Sequence, residues 1–127
     1  MAKIAFTSAG FGGLFDYVER LQRDTLESAN VATAFLHETV VAKARDSEDW
    51  SEFADEIQVW SQDGVLWIGI NNQERVSVAE ALEYGDEVRP PSAFFRTLTE
   101  EFQQASDVWR EEMQRRGYVY GSGMYST

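Results

Sequence analysis

His37 is the only histidine in the sequence and no cysteine accompanies it, so the side chains that most often do nucleophilic or metal chemistry are nearly absent. A tight transition-metal site takes several imidazole or thiolate ligands. A catalytic histidine needs a nucleophile or an orienting carboxylate held beside it. His37 falls beside the apolar stripe of a long helical pattern with no Cys or Ser partner, and it reads as structural. Carboxylates are what the chain has in abundance. Asp46, Glu48, Asp49, Glu52, Asp55, Glu56 and Asp63 crowd into residues 46–63, a stretch without Lys or Arg. Hard cations bind such oxygens, but a calcium loop alternates its ligands around a turn glycine, and this run does not. It reads as a solvated acidic face. Glu80 and Glu83, with Asp86 and Glu87 just beyond, form a second cluster. Paired carboxylates do acid–base work when burial separates their pKa values. Nothing nearby supplies a pocket or an orienting base, so they read as helix-surface and loop charges. The Gly10–Gly13 stretch lacks the Lys-Ser/Thr of a phosphate loop. Gly121-Ser-Gly123 lacks the glycine pattern of a nucleophile elbow. The expectation is no enzyme, no cofactor and no metal.

The elements that must position these residues follow from the period of the apolar ones. Ile4 and Phe6 alternate with polar or small neighbours, which predicts a short strand over residues 3–8. Glycines between Gly10 and Gly13 then punctuate the chain. Leu14, Val18, Leu21, Thr25, Ala29, Ala32, Leu36 and Val40 recur every three or four positions. They predict an amphipathic helix of about thirty residues, roughly 45 Å long. A helix of that length in so short a chain must overhang its own core or meet a neighbouring subunit. Trp50 and Phe53 suggest a helical turn within the acidic run. Asp63-Gly64 between two β-rich runs predicts a hairpin with strands at 56–61 and 65–70. Asn71 to Arg75 is read as a polar loop. Val76 to Tyr84 reads as a short helix ended by Gly85. Asp86 to Pro91 is a loop, because two consecutive prolines bar helix there. Ser92 is the expected N-cap of a second long helix carrying Phe95, Leu98, Phe102, Ala105, Trp109 and Met113 on one face. Arg110, Arg115 and Arg116 complement the dipole at its end.

The fold expected is α+β: two long helices packed on a small antiparallel sheet, made of the hairpin plus the N-terminal strand. A short helix and a rigid Gly/Pro loop lie between. Residues 1–116 would form a single domain. Residues 117–127, with Tyr118, Tyr120 and Tyr125, would form a flexible arm that orders against a partner or else frays.

The chain has 127 residues, of which 43% are hydrophobic and 13% aromatic, enough to bury a core despite a formal charge of −11. The acidity disfavours a general nucleic-acid binder, which needs clustered Lys and Arg. No signal peptide, transit segment or apolar run of the roughly 18 residues that span a bilayer is evident. The absence of cysteine fits a reducing interior. A soluble intracellular product is expected.

The most specific stretch runs from Ala79 to Arg96. Leu82-Glu83-Tyr84-Gly85, a polar loop, Pro91, and Phe94-Phe95-Arg96 resemble the signature of a family of neck proteins from long-tailed bacteriophages, the head–tail joining or tail-completion proteins. The order of elements is similar as well, over roughly residues 3–114. The sequence departs from that family's pattern at two positions and one stretch. Asp86 and Thr97 stand where Thr and Pro are common, and Asp49-Trp-Ser-Glu52 replaces a Thr-Gly stretch. The resemblance implies a structural virion protein that assembles into a ring of six or twelve copies at the neck. It would be made in the host cytoplasm and placed at the head-to-tail junction. Its neighbours would be head-closure or connector proteins on one side and the tail terminator or tail tube on the other. Genomic DNA would pass through without specific binding, and no membrane would be involved.

On that reading the motif loop makes the subunit contacts: Leu82, Glu83, Tyr84, Gly85, Asp86, Arg89, Pro90, Pro91, Phe94, Phe95 and Arg96. The tyrosines of the arm would add to them. Asp46, Glu48, Asp49, Glu52, Asp55 and Glu56 would face the lumen. Residues alone give the motif a second meaning, a stiff loop closed by Gly85 and Pro90-Pro91 with a mixed-charge tip. Two alternatives stand beside the neck protein: a tail terminator ring, and a small acidic binding protein that mimics DNA.

Overall fold

One helix, α1 (Gly12–Arg45), takes up the apolar stripe of the first third of the chain. It belongs to a computed structural model that describes residues 12–119. Its 34 residues span about 51 Å at 1.5 Å per residue. Apart from Val41, the side chains that α1 buries follow a four-residue row: Asp24, Ser28, Ala32, Leu36, Val40 and Ala44, each less than a tenth exposed. Leu14 and Val18, expected on the buried stripe, are 48% and 40% exposed instead. The first turns of α1 therefore overhang the core. Gly12 and Gly13, read as a break, lie in the first helical turn, where amides have no intrahelical acceptor to lose.

The core lies over the other end of α1. A 3-10 turn at Ser51–Glu56 brings in Trp50 and Phe53, both fully buried. The hairpin follows, with β1 at Ile57–Gln62 and β2 at Val65–Ile70, one residue later than expected for the first strand. The strands pair antiparallel from Ile57 opposite Ile70 to Gln62 opposite Val65. Asp63 and Gly64 close the turn with φ of 54° and 77°. Two positive φ values are what a two-residue turn needs to match the twist of the strands. Ile57, Val59, Leu66, Ile68 and Ile70 face the core side. Trp60 and Trp67 stack on the other face, with ring centroids 6.4 Å apart. The described sheet has two strands; the strand expected over residues 3–8 lies outside the described residues.

A 3-10 turn at Gln73–Arg75, in the stretch read as loop, leads into α2 (Val76–Tyr84), which has the expected bounds. The second long helix does not. It begins as a 3-10 turn at Phe95–Thr97, and the α-helical part, α3, runs Thr99–Arg115. Ser92 does not cap it, and the residue before Thr99, Leu98, offers no side-chain acceptor. Ser92 is engaged elsewhere: its N–H donates to the Leu82 carbonyl (2.8 Å) and its hydroxyl to Asp49 (2.6 Å). α3 lies antiparallel along α1. Lys43 bonds Glu101 at one end (3.0 Å), and Arg116 reaches Asp24 at the other (3.3 Å). Arg116 thus bonds across to α1, beyond the dipole role expected of it.

The chain does not leave the body at residue 117 as expected. Gly117 adopts φ +102° and turns Tyr118 back onto α1, where it is buried. The molecule is thus α+β, helices packed on a small antiparallel sheet. Among the described residues no helix is long and apolar enough to cross a membrane.

Candidate functional site

Glu83 organises the motif loop from inside. α2 places Ala79, Leu82 and Glu83 on one buried face, so a carboxylate enters the core alongside two apolar side chains. Only 4% of Glu83 is exposed, which corrects its reading as a helix-surface charge. Its Oε1 accepts the N–H groups of Phe94 and Phe95, each at 2.8 Å. Its Oε2 accepts the Arg96 N–H (3.3 Å) and the Arg96 Nε (2.8 Å). Arg96 Nη2 donates back to the Glu83 carbonyl at 2.6 Å, and the guanidinium lies 4.5 Å over the Tyr84 ring. This carboxylate supplies from a distance the capping that Ser92 was expected to supply locally. Burial works to raise the pKa of Glu83. Arg96 and the three N–H groups outweigh burial and hold the carboxyl below its ordinary range.

Between α2 and that anchor the chain makes a tight excursion. Gly85 has φ +81° and ψ 166°, a combination that is essentially glycine's alone. A Cβ there would stand 2.8 Å from the Pro91 nitrogen and Cδ. The Asp86 N–H donates to the Arg89 carbonyl (2.9 Å), and its Oδ1 accepts the N–H groups of Val88 (2.9 Å) and Arg89 (2.8 Å). Those two amides hold the Asp86 carboxyl below its ordinary range. On the core side Trp50 Nε1 donates to the Ser92 carbonyl at 2.9 Å. The Trp50 ring packs on Phe53, Phe94 and Phe95, each centroid 5.3 Å away. The result is a loop fixed at both feet whose tip stands in solvent, Val88 being 92% exposed.

The structure brings the motif residues together but divides their tasks. Leu82, Glu83 and Phe94 are buried in the subunit and hold the loop, with Gly85 and Phe95 half-buried beside them. Tyr84, Asp86, Arg89, Pro90, Pro91 and Arg96 are exposed, and they are what a neighbour would meet. The acidic run divides too. Asp46, Glu48, Asp49, Glu52 and Asp55 are exposed, whereas Glu56 turns inward to accept from Asn72 (3.0 Å) and Arg75 (2.9 Å). Bases from outside the run partly balance it: Arg45 pairs with Asp55 (2.8 Å), and Arg75 also approaches Glu52 (3.4 Å).

Tyr118, expected in the partner-seeking arm, donates its hydroxyl to Asp24 Oδ2 at 2.9 Å within its own chain. Tyr120 and Tyr125 lie outside the described residues. The Tyr118–Asp24–Arg116 clamp was not foreseen. Its one signal in the sequence was the place of Asp24 in the four-residue row of α1. His37 stands with Nε2 at 3.1 Å from the Ile57 carbonyl. Among the described residues no group of three His, Cys, Asp or Glu side chains is arranged to hold a metal ion. Comparison with protein-family models, curated proteins and solved structures finds no match to this chain.

Proposed function

We propose that this chain is a structural virion protein of a tailed bacteriophage, a neck component that forms a ring of six or twelve copies. In this role it joins the DNA-filled head to the tail and turns over no substrate. The observation that carries the reading is the Glu83-centred loop. The residues that resemble the neck-protein signature each have a physical task in it: Glu83 and Arg96 clamp, Gly85 permits the turn against Pro91, and Phe94 fills the core. A loop pre-ordered in this way docks without a further entropic cost of ordering, which suits a repeated contact between copies and with head-closure or tail proteins.

In such a ring the exposed acids at the C-terminal end of α1 line the lumen and repel the genome, so that DNA slides past without sticking. The test is a phage carrying a nonsense mutation in this gene. It should accumulate DNA-filled heads and unjoined tails, and the purified protein added to that lysate should restore joined particles. Virions that lack the protein would end the reading.

A further inference from the structure

Among the described residues, the hairpin leaves one edge of β2 without a partner. Alternate residues of an antiparallel pair turn their N–H and C=O groups outward. With Gln62 and Val65 closing the turn, those residues on β2 are Leu66, Ile68 and Ile70. Neither Leu66 nor Ile68 makes a backbone bond outside the hairpin among the described residues. The same residues point apolar side chains to the core side, where they are only half-buried. An unpaired apolar edge of this kind is a template for another strand. Beside it lies a groove of about 490 Å³, floored by Thr25 and Ala29 of α1 and walled by Val65 and Leu66 on one side and Phe102 and Trp109 of α3 on the other. A separate, smaller hollow of about 190 Å³ lies between Ile68 and Ile70 of β2 and Val76, Ala79 and Tyr84 of α2.

We propose that this edge receives residues 3–8 of a second copy of the chain as a third strand. Lys3-Ile-Ala-Phe-Thr-Ser8 has the pattern the site asks for. With period two, Ile4 and Phe6 enter the groove next to Leu66 and Ile68. Lys3, Ala5 and Thr7 fall on the face of Val65 and Trp67. Chain length directs the strand to another copy. β1 begins near His37, whose ring meets the Ile57 carbonyl, and the hairpin turn lines one groove with Thr25, Ala29 and Ala32, of which Thr25 is the nearest to the start of α1. Thr25 is roughly 20 Å along α1 from Gly12. Ser8 precedes Gly12 by four residues, at most about 14 Å of extended chain. Residues 3–8 therefore cannot lie along the whole of β2 in their own subunit in either direction, whereas those of a neighbour are under no such restriction. The proposal concerns self-association and stands whether or not the assembly belongs to a phage neck.

Because the chain has no cysteine, Ile4→Cys and Ile68→Cys can be made as two single-cysteine proteins of different tags, mixed and oxidised. A disulfide joining the two tags is expected, together with a shift to monomer in sedimentation when residues 1–9 are removed. The truncated chain should keep its helical circular dichroism, which separates lost assembly from lost folding. The proposal is overturned if the truncated chain assembles like the full one. It is equally overturned if a chain carrying both Ile4→Cys and Ile68→Cys closes its disulfide only within itself, which would show the strand returning to its own subunit.

Discussion

A carboxylate in a core is tolerated only if its oxygens are occupied, and Glu83 accepts four hydrogen bonds from three consecutive residues. Glu83→Ala leaves the amides of Phe94 and Phe95 without acceptors and should cost about 3 kcal/mol in denaturant unfolding. Glu83→Gln keeps an acceptor but loses the charge opposite Arg96, and should cost about 1–2 kcal/mol. The sign with pH follows from the depressed pKa in the folded state. The contribution is fully present above the ordinary carboxylate value of about 4.3, and it is lost as pH falls through the lower folded value. Acid unfolding of Glu83→Gln should therefore lack that component when the melts are compared from pH 6 down to pH 3. Gly85→Ala combines a forbidden backbone conformation with the contact on Pro91 and should cost about 2 kcal/mol. A calorimetric melt with no loss would show that the loop can re-form around a Cβ.

Among the elements, α1 shows what the sequence made legible and what it did not. Its apolar spacing marked a long helix, and the Asp-Gly turn marked the hairpin, though not its register. The buried row could not be separated from the exposed first turns, because Leu14 and Val18 continue the same period beyond the reach of α3. Glu83 reads as a helix-surface charge for a related reason: nothing local names its partners, which lie beyond two prolines at 94–96. The start of α3 was misplaced for the same reason: a remote carboxylate occupies the amides that a local Ser92 was expected to cap.

The clamp at the other end of α3 can be tested alone. The Tyr118 hydroxyl, then Arg116, hold Asp24 below the ordinary carboxylate range against the opposing effect of burial. Tyr118→Phe and Asp24→Asn should each lower the thermal midpoint near neutral pH, and the double variant should lose less than the sum. Additive losses would mean that the two side chains act independently.

At the scale of the whole molecule the charge of −11 is localised. Five exposed acids stand between residues 46 and 55, and Arg45 and Arg75 balance only part of them. If this end lines a DNA channel, lysines at Asp49 and Glu52 should slow genome ejection measured by dye release from purified virions. Unchanged ejection would remove the acids from the lumen.

The groove beside β2 also has a consequence in time. One of its walls is α3, which ends at Arg115, whereas the hairpin is complete at Ile70. At roughly 5–20 residues per second of synthesis, the ribosome leaves that apolar edge unwalled for a time on the order of seconds. Hairpins close in microseconds, so the edge is formed long before its cover arrives. Chains emerging side by side on one message meet each other in that interval. If that edge pairs between chains, slowing translation beyond Ile70 should change the yield of properly assembled protein with no change in the stability of the finished subunit.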